Sequence, residues 1–156
     1  MRARRKPARI DPLEQAVRLG VYDHFIRTGA PPTRAMLSAE LGVRLGEVGD
    51  AFRRLAAQHV LVLERGGREI RMAAPFSAVP TGFRVNAGGA PCWANCAWDA
   101  LGIPALLERD ADIGASCGDC GLPVTLRVRK GRLLDQEGVV HLAVPAAEWW
   151  RDIGFT

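Results

Sequence analysis

A cysteine and an aspartate stand three residues apart in an apolar stretch of this sequence, at Cys96 and Asp99. If the stretch is helical, the two side chains share one face, with Cβ atoms about 5–6 Å apart. A thiolate is a nucleophile and a preferred ligand of soft metals, and a carboxyl group beside it can take or give one proton. The pair therefore predicts a site that binds a soft metal and moves a proton.

The protonation state of this pair depends on two opposing effects. We expect Asn95 to cap the helix, which would place Cys96 in the first turn, where the helix dipole favours the thiolate. The carboxylate of Asp99 acts in the opposite direction, because a like charge nearby raises the pKa of a thiol. A proton shared between the two groups is the expected compromise. In the alternative interpretation, Cys96 is simply a small buried apolar residue.

The four cysteines also allow a zinc site. Cys117 and Cys120 form a C-x-x-C turn followed by Gly121, and Cys92 and Cys96 form a C-x-x-x-C pair upstream. This spacing resembles a structural zinc site with four thiolates, although the first pair is one residue too long and Cys96 lies in a helical pattern. Cys92, Cys117 and Cys120 are therefore candidate metal ligands beside Cys96.

Residues 1–75 predict three helices followed by a hairpin. Asp11 and Thr33 are the expected caps of the first two helices, the third spans residues 44–58, and strands at 60–63 and 69–72 flank a Gly-Gly turn. This is the pattern of a winged-helix lobe. The third helix would carry the DNA-contacting arginines Arg44, Arg53 and Arg54, but it also carries Glu47 and Asp50, which oppose phosphate contacts. The alternative is a winged-helix lobe that has a purely structural role and does not bind DNA.

Residues 76–156 predict a small mixed sheet with one helix. Residues 75–80 have the composition of a linker, and the helix is expected over residues 93–107. The expected strands are 83–85, 111–115, 123–128, 132–134 and 139–144. The whole chain is thus predicted to be α+β, with a helical winged-helix-like domain at 1–75 and a second domain at 76–156.

The composition and charge of the chain indicate the class of protein and its cellular compartment. The chain has 156 residues, of which 48% are hydrophobic, and a formal net charge of +4. The basic cluster from Arg2 to Arg9 could contact nucleic acid or be a solvated terminus. No apolar run approaches the ~18–20 residues of a membrane span. The basic start is not followed by the apolar segment that a signal peptide requires. We therefore expect a cytoplasmic protein with reduced thiols and no membrane partner.

The sequence resembles the alkylmercury (organomercurial) lyase family in several segments that follow one another in order. These are the run from Cys96 through Asp99 into Leu-Gly-Ile-Pro-Ala-Leu-Leu, then Cys117, then Gly-Leu-Pro-Val, and finally Trp149-Trp150. The resemblance implies protonolysis of a carbon–mercury bond, with a winged-helix-like lobe ahead of the catalytic lobe. It gives Cys96 the role of the thiolate that attacks mercury and Asp99 that of the proton carrier. It implies no cofactor, since mercury is substrate and product, and it makes a cellular thiol or a mercuric reductase the acceptor of Hg(II).

The same resemblance implies a structural role for Cys117 and a second catalytic cysteine just beyond the segment 149–156, where this sequence stops. Three expectations follow. The chain is a shortened member with reduced activity, or Cys92, Cys117 or Cys120 supplies the second thiolate. The third possibility is that the scaffold serves as a winged-helix DNA-binding regulator whose cysteines bind zinc or mercury.

Overall fold

The computed structural model describes residues 11–134 and 138–154. The chain divides into two compact units, Met1–Ala73 and Ala74–Thr156. The basic cluster from Arg2 to Arg9 lies outside the described residues. Across the described ranges, every helix is too short or too polar to cross a lipid bilayer. Helices combined with antiparallel strands make this an α+β protein, as predicted.

The first unit consists of three helices and a hairpin, as expected from the sequence. Its elements are α1 (Pro12–Thr28), α2 (Arg34–Leu41), α3 (Leu45–Ala57), β1 (Val62–Leu63) and β2 (Ile70–Ala73). The predicted caps are confirmed, because Asp11 accepts hydrogen bonds from the backbone of α1 and Thr33 from that of α2. A helix that begins at a side-chain cap satisfies backbone N–H groups that have no partner within the helix.

The core of the first unit lies between its helices. Phe25 of α1, Leu37 of α2 and Phe52 of α3 are completely buried. Gly20 lets α1 come close to α2, since a Cβ atom at this position would lie 2.8 Å from Cδ2 of Leu37. A side chain at position 20 would therefore require the end of the Leu37 side chain to shift.

The three arginines predicted to contact DNA all form ion pairs within this unit. The pairs are Arg44 with Glu47, Arg53 with Asp50 and Arg54 with Glu14. Each partner cancels charge that a phosphate contact would use. Nothing in these contacts favours DNA binding, which stays a prediction.

The described part of the second unit consists of an antiparallel sheet and one α-helix. Its elements are β3 (Phe76–Ser77), β4 (Arg84–Asn86), β5 (Cys92–Ala94), α4 (Ala97–Leu107), β6 (Ala111–Ser116), β7 (Pro123–Arg129), β8 (Arg132–Leu133) and a 3₁₀ helix (Ala146–Arg151). The strand order is β3-β5-β4-β6-β7-β8. Phe76, Val85, Ile103 and Ile113 are fully or almost fully buried and form its core.

Three predictions for this unit are wrong. The expected linker at 75–80 contains strand β3, whose residues Phe76 and Ser77 are both buried. The helix predicted from residue 93 begins only at Ala97, because Cys92–Ala94 pairs with a strand on each side. Residues 139–144 form no strand and are mostly exposed. In the first two cases pairing with a distant strand, which local composition does not encode, decided the outcome. Residues 139–144 have the composition of a strand but pair with none of the described strands.

Candidate active site

The predicted cysteine and aspartate lie at the junction of β5 and α4. Strand β5 ends at Ala94, and Cys96 is the N-cap of α4, with extended backbone angles of φ −150° and ψ −177°. Asp99 follows in the first turn of the helix. Since β5 is hydrogen-bonded to β3 and to β4, the junction is anchored in the interior of the sheet.

The side chains of Cys96 and Asp99 are in hydrogen-bond contact. The Cys96 thiol donates to the Asp99 carboxylate, a contact that lowers the pKa of Asp99 and raises that of Cys96. The sulfur makes no regular capping hydrogen bond, but the backbone N–H groups of Trp98 and Asp99 face it. The structure thus brings the two predicted groups together around a single proton.

Burial is the largest influence on both groups. It raises the pKa of the Cys96 thiol, and the nearby Asp99 carboxylate raises it further, so the net shift is upward despite the two backbone N–H groups. The sequence predicts that the helix dipole favours the thiolate of Cys96, but the raised pKa favours the protonated thiol instead. Burial also raises the pKa of Asp99, while hydrogen bonds from Asn95 and Cys96 lower it in part. A raised pKa makes this carboxylate a better proton acceptor than an exposed aspartate.

Asn95 does not cap the helix as expected. Its Nδ2 donates to Oδ2 of Asp99 at 2.9 Å and lies 3.4 Å from the carbonyl oxygen of Phe76. Its Oδ1 is buried and has no hydrogen-bond partner among the described residues. The helical i,i+4 rule does not account for this contact, because Asn95 precedes the N-cap of α4.

The four cysteines do not assemble into the zinc site that their spacing allowed. Cys92 is buried in β5, where its sulfur lies 3.8 Å from the carbonyl oxygen of Val85. Cys96 is engaged with Asp99. Within residues 11–134 and 138–154 no group of three or more His, Cys, Asp or Glu side chains could hold a metal ion. The described residues therefore give no support to a structural four-thiolate zinc site.

Cys117 and Cys120 lie in the turn between β6 and β7. The Cys117 N–H donates to the Leu122 carbonyl oxygen at 2.8 Å, and the Gly121 N–H donates to the Cys117 carbonyl oxygen at 2.9 Å. Backbone N–H groups of Cys120 and Asp119, and then the Cys120 thiol, lower the pKa of Cys117. The two thiols of the predicted C-x-x-C turn are thus in contact with each other.

Known proteins resemble this chain in both sequence and structure. The family model described as MerB, alkylmercury lyase, matches residues 76–156. An alkylmercury lyase from Staphylococcus epidermidis is 30% identical over 124 residues, which is 78% of this chain and 55% of the relative. A crystal structure of the mercury-bound form of MerB2 matches with a TM-score of 0.59 and 27% identity, covering 80% of this chain and 57% of that chain.

The chain spans little more than half the length of these two relatives. The matched family segment covers the whole β5–α4 junction and the β6–β7 turn. It also covers more than half of the sequence, from Phe76 onwards. The chain belongs to the alkylmercury lyase family.

Proposed function

We propose that this chain cleaves the carbon–mercury bond of organomercurials by protonolysis, with Cys96 as nucleophile and Asp99 as proton carrier. The observation that carries the proposal is the hydrogen-bond contact between the Cys96 thiol and the Asp99 carboxylate at the start of α4. Neither group is sealed in the core, since both are only partly buried. A large, soft metal ion could therefore reach the sulfur.

In the first step the sulfur of Cys96 binds the mercury of the organomercurial cation. The S–H bond breaks as the S–Hg bond forms, and the proton passes to the carboxylate of Asp99. Because the thiol already donates to this carboxylate, the proton has a short path to it. The raised pKa of Asp99 favours its acceptance of the proton.

In the second step Asp99 returns the proton to the carbon atom bound to mercury. The electron pair of the carbon–mercury bond forms the new C–H bond, the hydrocarbon leaves, and Hg(II) stays on the Cys96 sulfur. The leaving carbanion is extremely basic, so a positioned acid removes most of the barrier. A cellular thiol or a mercuric reductase would then accept the ion, because soft thiolates are its preferred ligands.

A second thiolate on mercury would weaken the carbon–mercury bond further. Cys92 is a poor donor for this purpose, since it is buried in β5 with its sulfur directed at a carbonyl group of β4. We propose that a thiol from solution can supply this second thiolate, because soft thiolates are the preferred ligands of mercury. Reduced cysteines are required throughout, so we place the reaction in the cytoplasm.

The test is to incubate the protein with methylmercury and a monothiol and to follow methane release by gas chromatography. We expect Cys96→Ser to abolish release and Asp99→Asn to reduce it by about 10²–10⁴-fold, the usual contribution of general acid–base catalysis. Asp23→Asn, which removes an exposed carboxylate paired with Arg27 on α1, is the matched control and should retain activity. Methane release that survives in both Cys96→Ser and Asp99→Asn would rule out the proposal.

A further inference from the structure

The turn between β6 and β7 carries two thiols that the proposed lyase chemistry does not use. Cys117 is partly exposed and Cys120 is exposed, and both are free thiols. Cys92, by contrast, is buried, and Cys96, although also partly exposed, contacts Asp99. The pair is thus open to ions in solution.

The backbone around these thiols forms a closed loop. Strands β6 and β7 pair up to Ser116 and Pro123, and the loop between them is closed by the hydrogen bond from Cys117 to Leu122. Gly121 has a φ of +72°, a conformation that glycine adopts without strain. The hairpin therefore holds Cys117 and Cys120 together instead of leaving them on separate flexible segments.

The loop also stabilises negative charge on sulfur. The backbone N–H groups of Asp119 and Cys120 are directed at the sulfur of Cys117, and the Cys120 thiol donates to the same atom. Successive N–H groups that converge on one point form an anion-binding concavity. A metal-bound thiolate keeps much of its negative charge, so the same donors would stabilise the metal-bound form.

We propose that Cys117 and Cys120 form a second soft-metal site, which holds one Hg(II) ion between two thiolates. Two S–H bonds break, two S–Hg bonds form and two protons go to solvent, with no change of oxidation state. In the part of the chain that the structure describes, no third ligand joins the pair in a metal-binding group. Two ligands suit a soft ion that accepts linear coordination by two thiolates, whereas structural zinc takes four ligands.

The two thiols should bind much more tightly together than either does alone. Once one sulfur has bound Hg(II), the second thiol is present at an effective concentration in the millimolar range or above. Linked ligands of this kind commonly gain about 10²–10⁴-fold in affinity. The site should consequently keep its ion at concentrations of a competing monothiol that strip a single cysteine.

The experiment uses Cys96→Ser as the background, so that the lyase site takes no part. One equivalent of HgCl₂ is added to reduced protein without oxygen, 2-mercaptoethanol is titrated in, and retained mercury is measured after gel filtration. We expect the background protein to retain mercury at about 100-fold higher monothiol concentration than Cys96→Ser/Cys120→Ser. Asp23→Asn added to the background changes an exposed carboxylate on α1, keeps both thiols and should behave like the background.

Two results would overturn the proposal. One is equal loss of mercury from the background protein and from Cys96→Ser/Cys120→Ser in the titration. The other is a native mass that shows Hg(II) bridging two chains instead of bound within one. Buried Cys92 is common to all variants, so it contributes equally to every measurement. Because Hg(II) is supplied directly, the outcome does not depend on whether the chain cleaves organomercurials.

Discussion

Nδ2 of Asn95 donates a 2.9 Å hydrogen bond to Oδ2 of Asp99, across the junction where β5 passes into α4. The same nitrogen lies 3.4 Å from the carbonyl oxygen of Phe76 in β3. The carboxylate is thereby tied, through one amide, to the neighbouring strand of the sheet. Asn95 is thus suited to be a positioning residue, which acts on the proton carrier without touching the substrate.

Replacing Asn95 with alanine should move the pH dependence of methane release. The Asn95 hydrogen bond lowers the pKa of Asp99, so its loss should raise that pKa further. Asp99 must be ionised to accept the thiol proton, and the acidic limb of the pH–rate profile should therefore shift to higher pH. We expect the rate at neutral pH to fall by about tenfold or more, since a hydrogen bond to a charged group contributes about 1.5–3 kcal/mol.

A structural role alone would give a different result for this substitution. A rate lowered by the same factor at every pH, with the acidic limb unmoved, would show that Asn95 supports the fold and does not tune Asp99. Asn95→Asp provides a second check. It removes the amide donor and adds a like charge, so the limb should move at least as far as with alanine.

The raised pKa of Asp99 also predicts how stability depends on pH. A carboxyl group with a higher pKa in the folded state binds its proton more tightly when folded, so ionisation opposes folding. This penalty is absent below the ordinary aspartate pKa and complete above the raised one. The stability of the wild type relative to Asp99→Asn should therefore fall as pH rises through that interval.

The measurement is urea unfolding of both proteins across this pH range. Tryptophan fluorescence reports the second unit, since all four tryptophans, at positions 93, 98, 149 and 150, lie within it. A constant offset between the two proteins is expected from lost contacts and carries no information about ionisation. A difference that does not vary with pH would contradict the prediction.

The features that were predicted correctly from the sequence depend on near neighbours along the chain. Asp11 and Thr33 cap their helices through residues two or three positions away. The contact of Cys96 with Asp99 is equally local, because Asp99 stands three positions after Cys96, the N-cap of α4. A single sequence encodes such relationships directly.

The features that were missed depend on distant partners. The local pattern of β5 predicts the start of a helix, and only pairing with β3 and β4 makes this segment a strand. The upward shifts of the pKa values of Cys96 and Asp99 were missed for the same reason. Burial is their largest cause, and burial is set by packing from elsewhere in the fold. Local patterns therefore predicted the contact between Cys96 and Asp99 but not the protonation state of the pair.

Helix α4 offers a matched pair of substitutions that tests its packing. Ile103 is completely buried, whereas Leu106, one turn further on, is 54% exposed. We expect Ile103→Ala to lower the free energy of unfolding of the second unit by about 2–5 kcal/mol, through lost burial and the cavity it leaves. Leu106→Ala should change it by no more than about 1 kcal/mol, because much of its surface is already in water. Urea unfolding followed by tryptophan fluorescence measures both, and equal losses would mean that α4 packs by a different face.

The helices of the first unit are joined by a polar contact that should contribute measurably to stability. Glu14 of α1 is 7% exposed and accepts hydrogen bonds from Arg54 and Gln58, the latter at 2.9 Å. Glu14→Gln removes the charge and leaves Arg54 without its counter-ion. Since Arg54 is about half exposed, we expect a loss near the lower end for charged hydrogen bonds, about 1.5 kcal/mol.

The control for this substitution is Asp50→Asn, which breaks an ion pair with Arg53 that is largely exposed. Such surface pairs contribute about 0–1 kcal/mol, so this variant should unfold close to the wild type. Far-UV circular dichroism suits the measurement, because α1, α2 and α3 supply most of the helical residues in the described chain. A loss for Asp50→Asn as large as that for Glu14→Gln would show that burial of Glu14 adds nothing. A Glu14→Gln variant with the same free energy of unfolding as the wild type would show that the apolar core alone holds these helices together.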